Sequence, residues 1–287
     1  MRRAEVVVVG GGLAGITAAL DCAQAGAQVT LLEARGRLGG AAYSFVRGGL
    51  TVDNGQHVFL RCCSAYRQLL ERIGAAELVS LQQRLEVPVL APGGRVGWLR
   101  RTGLPAPLHL ALALARYPYI GGRELVALAW AMQRLRAVDT DSAESDRIAF
   151  GDWLRRHRQS PRAVAAVWDL IVRATVNLTV QEASLAQVAQ VFQVGLLADA
   201  AAGDIGWARV PLGELHDVRA RAALERAGVR LRLRATALEI GEATEAGEPT
   251  EAGEPTEAER GEPPRYLVRT AHGQALRADA VIVALGP

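Results

Sequence analysis

The chain has 287 residues, half of them apolar, and a formal net charge of +3, which allows one large domain or two smaller ones and excludes a wholly basic or wholly acidic protein. Residues 241–264 carry eight Glu and one Arg, so the remainder is about +10; such a body favours an anionic cofactor or membrane surface, or is ordinary arginine richness. Three cysteines, Cys22, Cys62 and Cys63, exclude a disulfide framework and a cysteine metal cluster, and no apolar run reaches the roughly 18 residues that span a bilayer.

Met1-Arg2-Arg3 followed by Val6–Val9 is broken at once by three glycines and has no cleavage pattern, so a cytoplasmic protein without a signal peptide is expected. Residues 5–9 form a β-branched run that fits a buried parallel strand. A glycine turn follows. Leu13, Ile16, Ala19, Leu20 and Ala23 then fall at helical spacing over 13–25, with Gly26 as the stop. Residues 28–32 read as a second strand ending in Glu33, which completes a βαβ unit of about 30 residues.

From about 60 to 205 the pattern turns helical and apolar, with helices predicted over 108–115, 123–136, 150–157 and 162–172. Strand signals return at 229–234, 235–240, 266–271 and 280–285, after a helix over 212–227. The expected division is 1–80 and 206–287 as one α/β domain around a helical cap, 81–205. Three copies of a six-residue Gly-Glu-Ala/Pro-Thr-Glu-Ala unit begin at Gly241. They bury nothing and repel one another, so 241–264 is expected to be a disordered acidic loop.

Gly10-x-Gly12-x-x-Gly15 sits between strand and helix, the context this pattern needs. The first glycine permits the tight turn, the second lets the backbone approach a pyrophosphate, and the third lets helix and strand pack closely. Leu13, Ala14 and Gly15 open the helix, whose N-terminus offers N–H groups to phosphate. Glu33 stands 18 residues beyond Gly15, where an acid accepts hydrogen bonds from ribose hydroxyls and repels a 2′-phosphate. These residues predict a dinucleotide site without choosing between NAD and FAD.

The run Glu33-Ala34-Arg35-Gly36-Arg37-Leu38-Gly39-Gly40 resembles the extension after the second strand in amine oxidases, protoporphyrinogen oxidases and carotenoid desaturases. The resemblance implies FAD, a Rossmann-like α/β fold with an inserted, mainly helical substrate domain, and contact of this run with the FAD pyrophosphate. Where those families place Arg after the paired glycines, this chain has Ala41. Leu50–Leu60, with Gly55, Gln56 and His57, is similar to the hydroxysqualene dehydroxylases of hopanoid synthesis, as are 104–109, 150–154, 168–177 and 211–216. That similarity implies an apolar isoprenoid substrate, conversion of hydroxysqualene to squalene, and peripheral contact with the inner face of a membrane. It also implies a second nucleotide contact at Ala235, a strand returning under the cofactor at Ala284, and a C-terminus that stops roughly a domain's length short. A carotenoid desaturase and an inactive FAD-binding module are the alternatives. His57 is the candidate proton donor, since an imidazole titrates near neutrality; it could equally fix the cofactor or simply pack. No metal-binding spacing, nucleic-acid motif or signal of oligomeric state is present.

Overall fold

The computed structural model describes residues 2–91, 93–243 and 265–286. The chain forms two compact units, one of residues 1–57, 65–80 and 208–287, the other of 58–64 and 81–207.

The first unit is built on a four-stranded parallel sheet. Strand β1 (Glu5–Val9) lies between β2 (Gln28–Glu33) and Ala280–Val283, and Arg230–Leu233 extends the sheet beyond β2. Val6 pairs with both Val29 and Ala280. Val6–Val9 are buried on both faces, which is why four valines in a row serve here where an alternating strand would not. Helix α1 (Leu13–Gln24) buries Gly15, Ile16, Ala19 and Leu20, and Gly26 at φ +90° turns the chain out of it. Strands Ala237–Glu242, Tyr266–Thr270 and Ala275–Ala278 form an antiparallel sheet, with Val268 and Ala278 packed among Val7, Val9 and Leu32. The edge is fastened by Asp279, which accepts from the Glu5 N–H at 2.7 Å and pairs with Arg2 at 2.8 Å.

The strand expected from Ala235 starts instead at Ala237, because Arg234 at φ +55° breaks the backbone first. The strand expected to reach Leu285 ends at Val283. At the acidic repeat, the strand runs on through Glu242; residues 244–264 lie outside the described residues. Two further strands went unpredicted. Chain segments β3 (Ser44–Arg47) and β4 (Leu50–Asp53) form a hairpin around Gly48 and Gly49, at φ +59° and +79°, the positive-φ pair of a two-residue turn.

In the second unit, helices Gly122–Leu135, Phe150–Arg156, Asp169–Val176 and Leu185–Phe192 surround an aromatic centre. Phe150, Trp168 and Phe192 are fully buried, with Phe150 and Trp153 stacked at 5.6 Å. Each such side chain contributes about 1.5–3 kcal/mol of burial. The Trp168 indole N–H finds the Gln159 side-chain oxygen at 2.9 Å, so the ring is buried without an orphaned donor. The unit is mainly helical, as expected, and also holds strands that the sequence reading did not assign. Glu86–Leu90 and Val96–Arg100 make a hairpin whose turn uses Gly93 and Gly94 at positive φ, and Val58–Leu60 pairs with the strand at Ile205. The carboxylate of Asp204, fully buried, gathers this region. It accepts from Arg101 Nε at 2.6 Å, Arg61 Nε at 3.0 Å and the Leu85 N–H at 2.7 Å. Burial pushes its pKa up, but the bonds from Arg101, Arg61 and Leu85 more than offset that and hold it below the ordinary aspartate value.

No helix among the described residues is long and apolar enough to cross a membrane.

Candidate cofactor site

The turn between β1 and α1 is set by backbone contact. Gly10 sits at φ +110°, and a Cβ there would lie 2.4 Å from the Ala284 carbonyl oxygen. A Cβ on Gly15 would lie 1.8 Å from the Gly10 oxygen. Helix, turn and the end of the 280–283 strand therefore touch main chain to main chain, and Ala284 closes the contact by donating its N–H to Val9 at 2.8 Å. Gly11, which the glycine pattern does not demand, is as constrained: its Cβ would meet the Leu38 side chain at 2.6 Å and the Glu33 carboxylate at 2.9 Å. Leu38 is thus a buried packing residue under the turn.

Gly12 differs from its neighbours. Its only near neighbour would be the Gly40 Cα, at 3.9 Å. The two glycines lie backbone against backbone, since a Cβ on Gly40 would stand 3.1 Å from the Gly12 Cα, and Gly40 is held at φ +57°. Gly12 caps α1 without a side-chain hydrogen bond, and no acid stands in the first turn. The leading N–H groups at Leu13, Ala14 and Gly15 have no intrahelical partner and, with the helix dipole, favour an anion at this end of the helix. A pyrophosphate fits this donor set.

Glu33, at the end of β2, is 8% exposed. Its carboxylate accepts from the Gly11 N–H and the Arg35 N–H, each at 2.7 Å. These bonds fix the carboxylate beside the turn and leave lone pairs for ribose hydroxyls. Ala235 donates its N–H to the Glu33 carbonyl at 2.9 Å, so it lies at the same strand end. Ala34 and Arg35 are exposed.

The loop from Arg35 to Ala42 is the second wall. Arg35 and Arg37 both donate to the Gly40 carbonyl, at 3.3 and 3.0 Å, and the Arg37 guanidinium lies 3.5 Å from the centre of the Tyr43 ring. Partial burial, then the nearby Arg35 charge, hold the Arg37 pKa below its ordinary value. Gly39, at φ +93°, would put a Cβ 2.9 Å from His216. Ala41 is exposed, and its carbonyl accepts from Asn54 at 2.7 Å; Asn54 also takes the Tyr43 N–H at 3.0 Å.

What holds this loop lies far away in sequence. The π-helical Glu214–Arg219 and the helix Ala220–Arg226 run beside it. Asp217 accepts the Leu38 N–H at 2.9 Å and pairs with Arg221 at 2.6 Å, while Arg221 donates to the Gly36 carbonyl at 2.9 Å. His216 is 2% exposed, with Nδ1 on the Ala42 carbonyl at 3.1 Å and Nε2 on the Tyr66 hydroxyl at 2.9 Å. Burial lowers its pKa, so the imidazole is neutral. Nδ1–H then donates to Ala42, and Nε2 accepts the Tyr66 proton. Asp217 and Arg221 fall in no motif, and His216 only closes the 211–216 segment, which gave it no role.

Gly55, Gln56 and His57 are exposed beyond β4. The His57 Nδ1–H donates to the Gly55 carbonyl at 2.9 Å. Asp53 accepts from Ser44 at 2.5 Å and from the Leu212 N–H at 3.0 Å, tying the hairpin to the start of the 214–226 helix. Among the described residues no cluster of His, Cys, Asp or Glu has metal-binding geometry.

The chain is 32% identical over 176 residues to the zeta-carotene desaturase of Zea mays, an alignment covering 58% of this chain and 31% of that enzyme. It is 30% identical over 210 residues to the zeta-carotene desaturase of Synechocystis, covering 66% of this chain and 41% of the relative. The chain thus spans less than half of either desaturase. Among solved structures, the cyclohexylamine oxidase of Brevibacterium oxydans superimposes with a TM-score of 0.65 at 18% identity, over 99% of this chain and 58% of the oxidase, a likeness of fold. Residues 13–287 match the flavin containing amine oxidoreductases as a family. The match begins at Leu13, at the end of the glycine turn, and takes in the Arg35–Ala42 wall and every strand after β1; the chain belongs to this family, with FAD as its cofactor.

Proposed function

We propose that the chain is the flavin-binding part of an oxidoreductase acting on a long isoprenoid, and that its reaction is the reductive removal of the hydroxyl of hydroxysqualene to give squalene. The observation that carries this reading is an apolar cleft of about 270 Å³ in the second unit, lined by Leu108, Leu114, Leu125, Leu128 and Met132, with His109 among its walls. His109 is 2% exposed and its Nδ1 has no hydrogen-bond partner among the described residues. Burial, then the Arg101 charge, lowers its pKa and keeps it neutral. Gln133 and Arg136 are the other polar residues of an otherwise apolar wall, and an unpaired polar atom there suits a chain bearing a single hydroxyl better than a pure hydrocarbon.

Reduced FAD, when bound, would supply the hydride, the C–O bond being replaced by C–H and the hydroxyl leaving as water after taking one proton. The open N–H groups of α1 would hold the pyrophosphate and Glu33 the ribose. His57 keeps Nδ1–H on the Gly55 carbonyl, and in its protonated form Nε2–H would be the proton donor that the reaction needs. Exposed Leu104, Leu108 and Leu112, four residues apart, support peripheral contact with the membrane that stores such a lipid.

The desaturase relatives favour a second reading, removal of hydrogen from a carotene by oxidised flavin. The two separate in one anaerobic experiment on the FAD-loaded chain. Squalene from hydroxysqualene and reduced flavin is expected, with a raised KM in His109→Leu. Turnover of zeta-carotene or phytoene alone sinks the proposal, and a yellow protein that turns over neither substrate assigns the chain to FAD binding only.

A further inference from the structure

A second cleft in the helical unit has the opposite character. It measures about 560 Å³ and is lined by five arginines, Arg84, Arg95, Arg100, Arg101 and Arg116, with no carboxylate residue in its wall. Two of the five are committed: Arg100 pairs with Glu86, and Arg101 with Asp204 at 2.6 Å. Arg84, Arg95 and Arg116 are exposed and have no ion-pair partner among the described residues. Arg95 reaches only the Pro118 carbonyl, at 3.5 Å.

Single exposed arginines are ordinary. Three guanidinium groups without ion-pair partners among the described residues, lining one concavity that has no carboxylate, sum to a positive potential that favours an anion there. They come from three places: the approach to the 86–100 hairpin, its turn, and the end of the Ala111–Ala115 helix. Planar guanidinium groups recognise phosphate oxygens in pairs. The rest of the wall is apolar, with Val96, Trp98 and Leu112 each more than 40% exposed. Apolar surface beside a cationic cleft matches an anion that carries a hydrocarbon chain.

We propose that this cleft binds the phosphate or diphosphate group of a lipid-like ester, with Arg84, Arg95 and Arg116 on the phosphate oxygens and Val96, Trp98 and Leu112 covering the start of the chain. The site is separate from the flavin turn and does not depend on which isoprenoid the enzyme reduces.

The test is calorimetric titration of the FAD-loaded chain with inorganic pyrophosphate, with farnesyl diphosphate, and with vesicles of phosphatidylglycerol. Farnesyl diphosphate is expected to bind at least tenfold more tightly than pyrophosphate, and both to weaken as salt rises. Arg84→Gln/Arg116→Gln should weaken both at least tenfold at unchanged Tm and flavin content, and Trp98→Ala should weaken the prenyl ester alone. Arg134→Gln, outside the cleft, should change nothing. Undiminished binding by the double variant, no binding of either soluble ester by the wild type, or binding to vesicles alone would overturn the proposal.

Discussion

The two walls of the flavin site are made in different ways. The Gly10–Gly15 turn is held by main chain on main chain: strand, helix and the 280–284 segment touch so closely that a methyl group has nowhere to go. The Arg35–Ala42 loop is held by side chains, Asp217, Arg221 and His216 from one helix and Asn54 from the hairpin. At Gly10, Gly11 and Gly15 the first wall has no room for a side chain, Gly12 being the exception. The second distributes its support, so it can lose one contact and keep its path.

That contrast can be broken at its strongest point first. Gly15→Ala forces a Cβ to within 1.8 Å of the Gly10 oxygen, so it should cost more than about 3 kcal/mol and abolish flavin retention, read from the Tm and the visible spectrum. Retention of FAD at wild-type Tm would refute the main-chain account. Asp217→Ala removes the acceptor of the Leu38 N–H and the partner of Arg221 together; about 1–3 kcal/mol should be lost, with FAD binding weakened roughly tenfold in a fluorescence titration. Asn54→Ala removes two exposed hydrogen bonds from the same loop, and about 0.5–1.5 kcal/mol in urea unfolding is expected.

The smallest effect is a pH dependence. The folded-state pKa of His216 lies below its unfolded value, because burial disfavours the charged ring. The unfolded chain therefore takes up a proton that the folded chain refuses, and stability falls as pH drops through the unfolded value, near 6.5. His216→Gln should flatten that slope between pH 7 and 5. A variant as acid-sensitive as the wild type would show that the titration lies elsewhere.

The same contrast explains what could be read in advance. The β1–α1–β2 unit was legible because each determinant is local: four valines, three glycines, a helical apolar stripe and Glu33 at the strand end. The support of the second wall was not, since Leu38 and Asp217 are 179 positions apart and Ala42 and His216 are 174 apart. His216 closes the 211–216 segment that carries part of the resemblance, but its partners, and so its role, exist only in the folded chain. The hairpins were missed for another reason. Gly48-Gly49 and Gly93-Gly94 are turn signals, but the second sits at the head of a stretch read as mostly helical, and neither pair was weighed as a hairpin turn. Gly11 escaped because the glycine pattern asks only for its neighbours, whereas Leu38 and Glu33, brought beside it, exclude any side chain.

Asp204 has a consequence for how the helical unit assembles. Its carboxylate joins Arg61, Leu85 and Arg101, which lie 143, 119 and 103 residues away. It closes one long loop around nearly all the helices. The helices can form early from their own neighbours, but the enclosing ring cannot close until its distant parts meet, and such long-range closure is entropically slow. Together with the pairing of Val58–Leu60 and the strand at Ile205, this knot clasps the helical segment at its two ends, so its interior can change while the ends stay fastened.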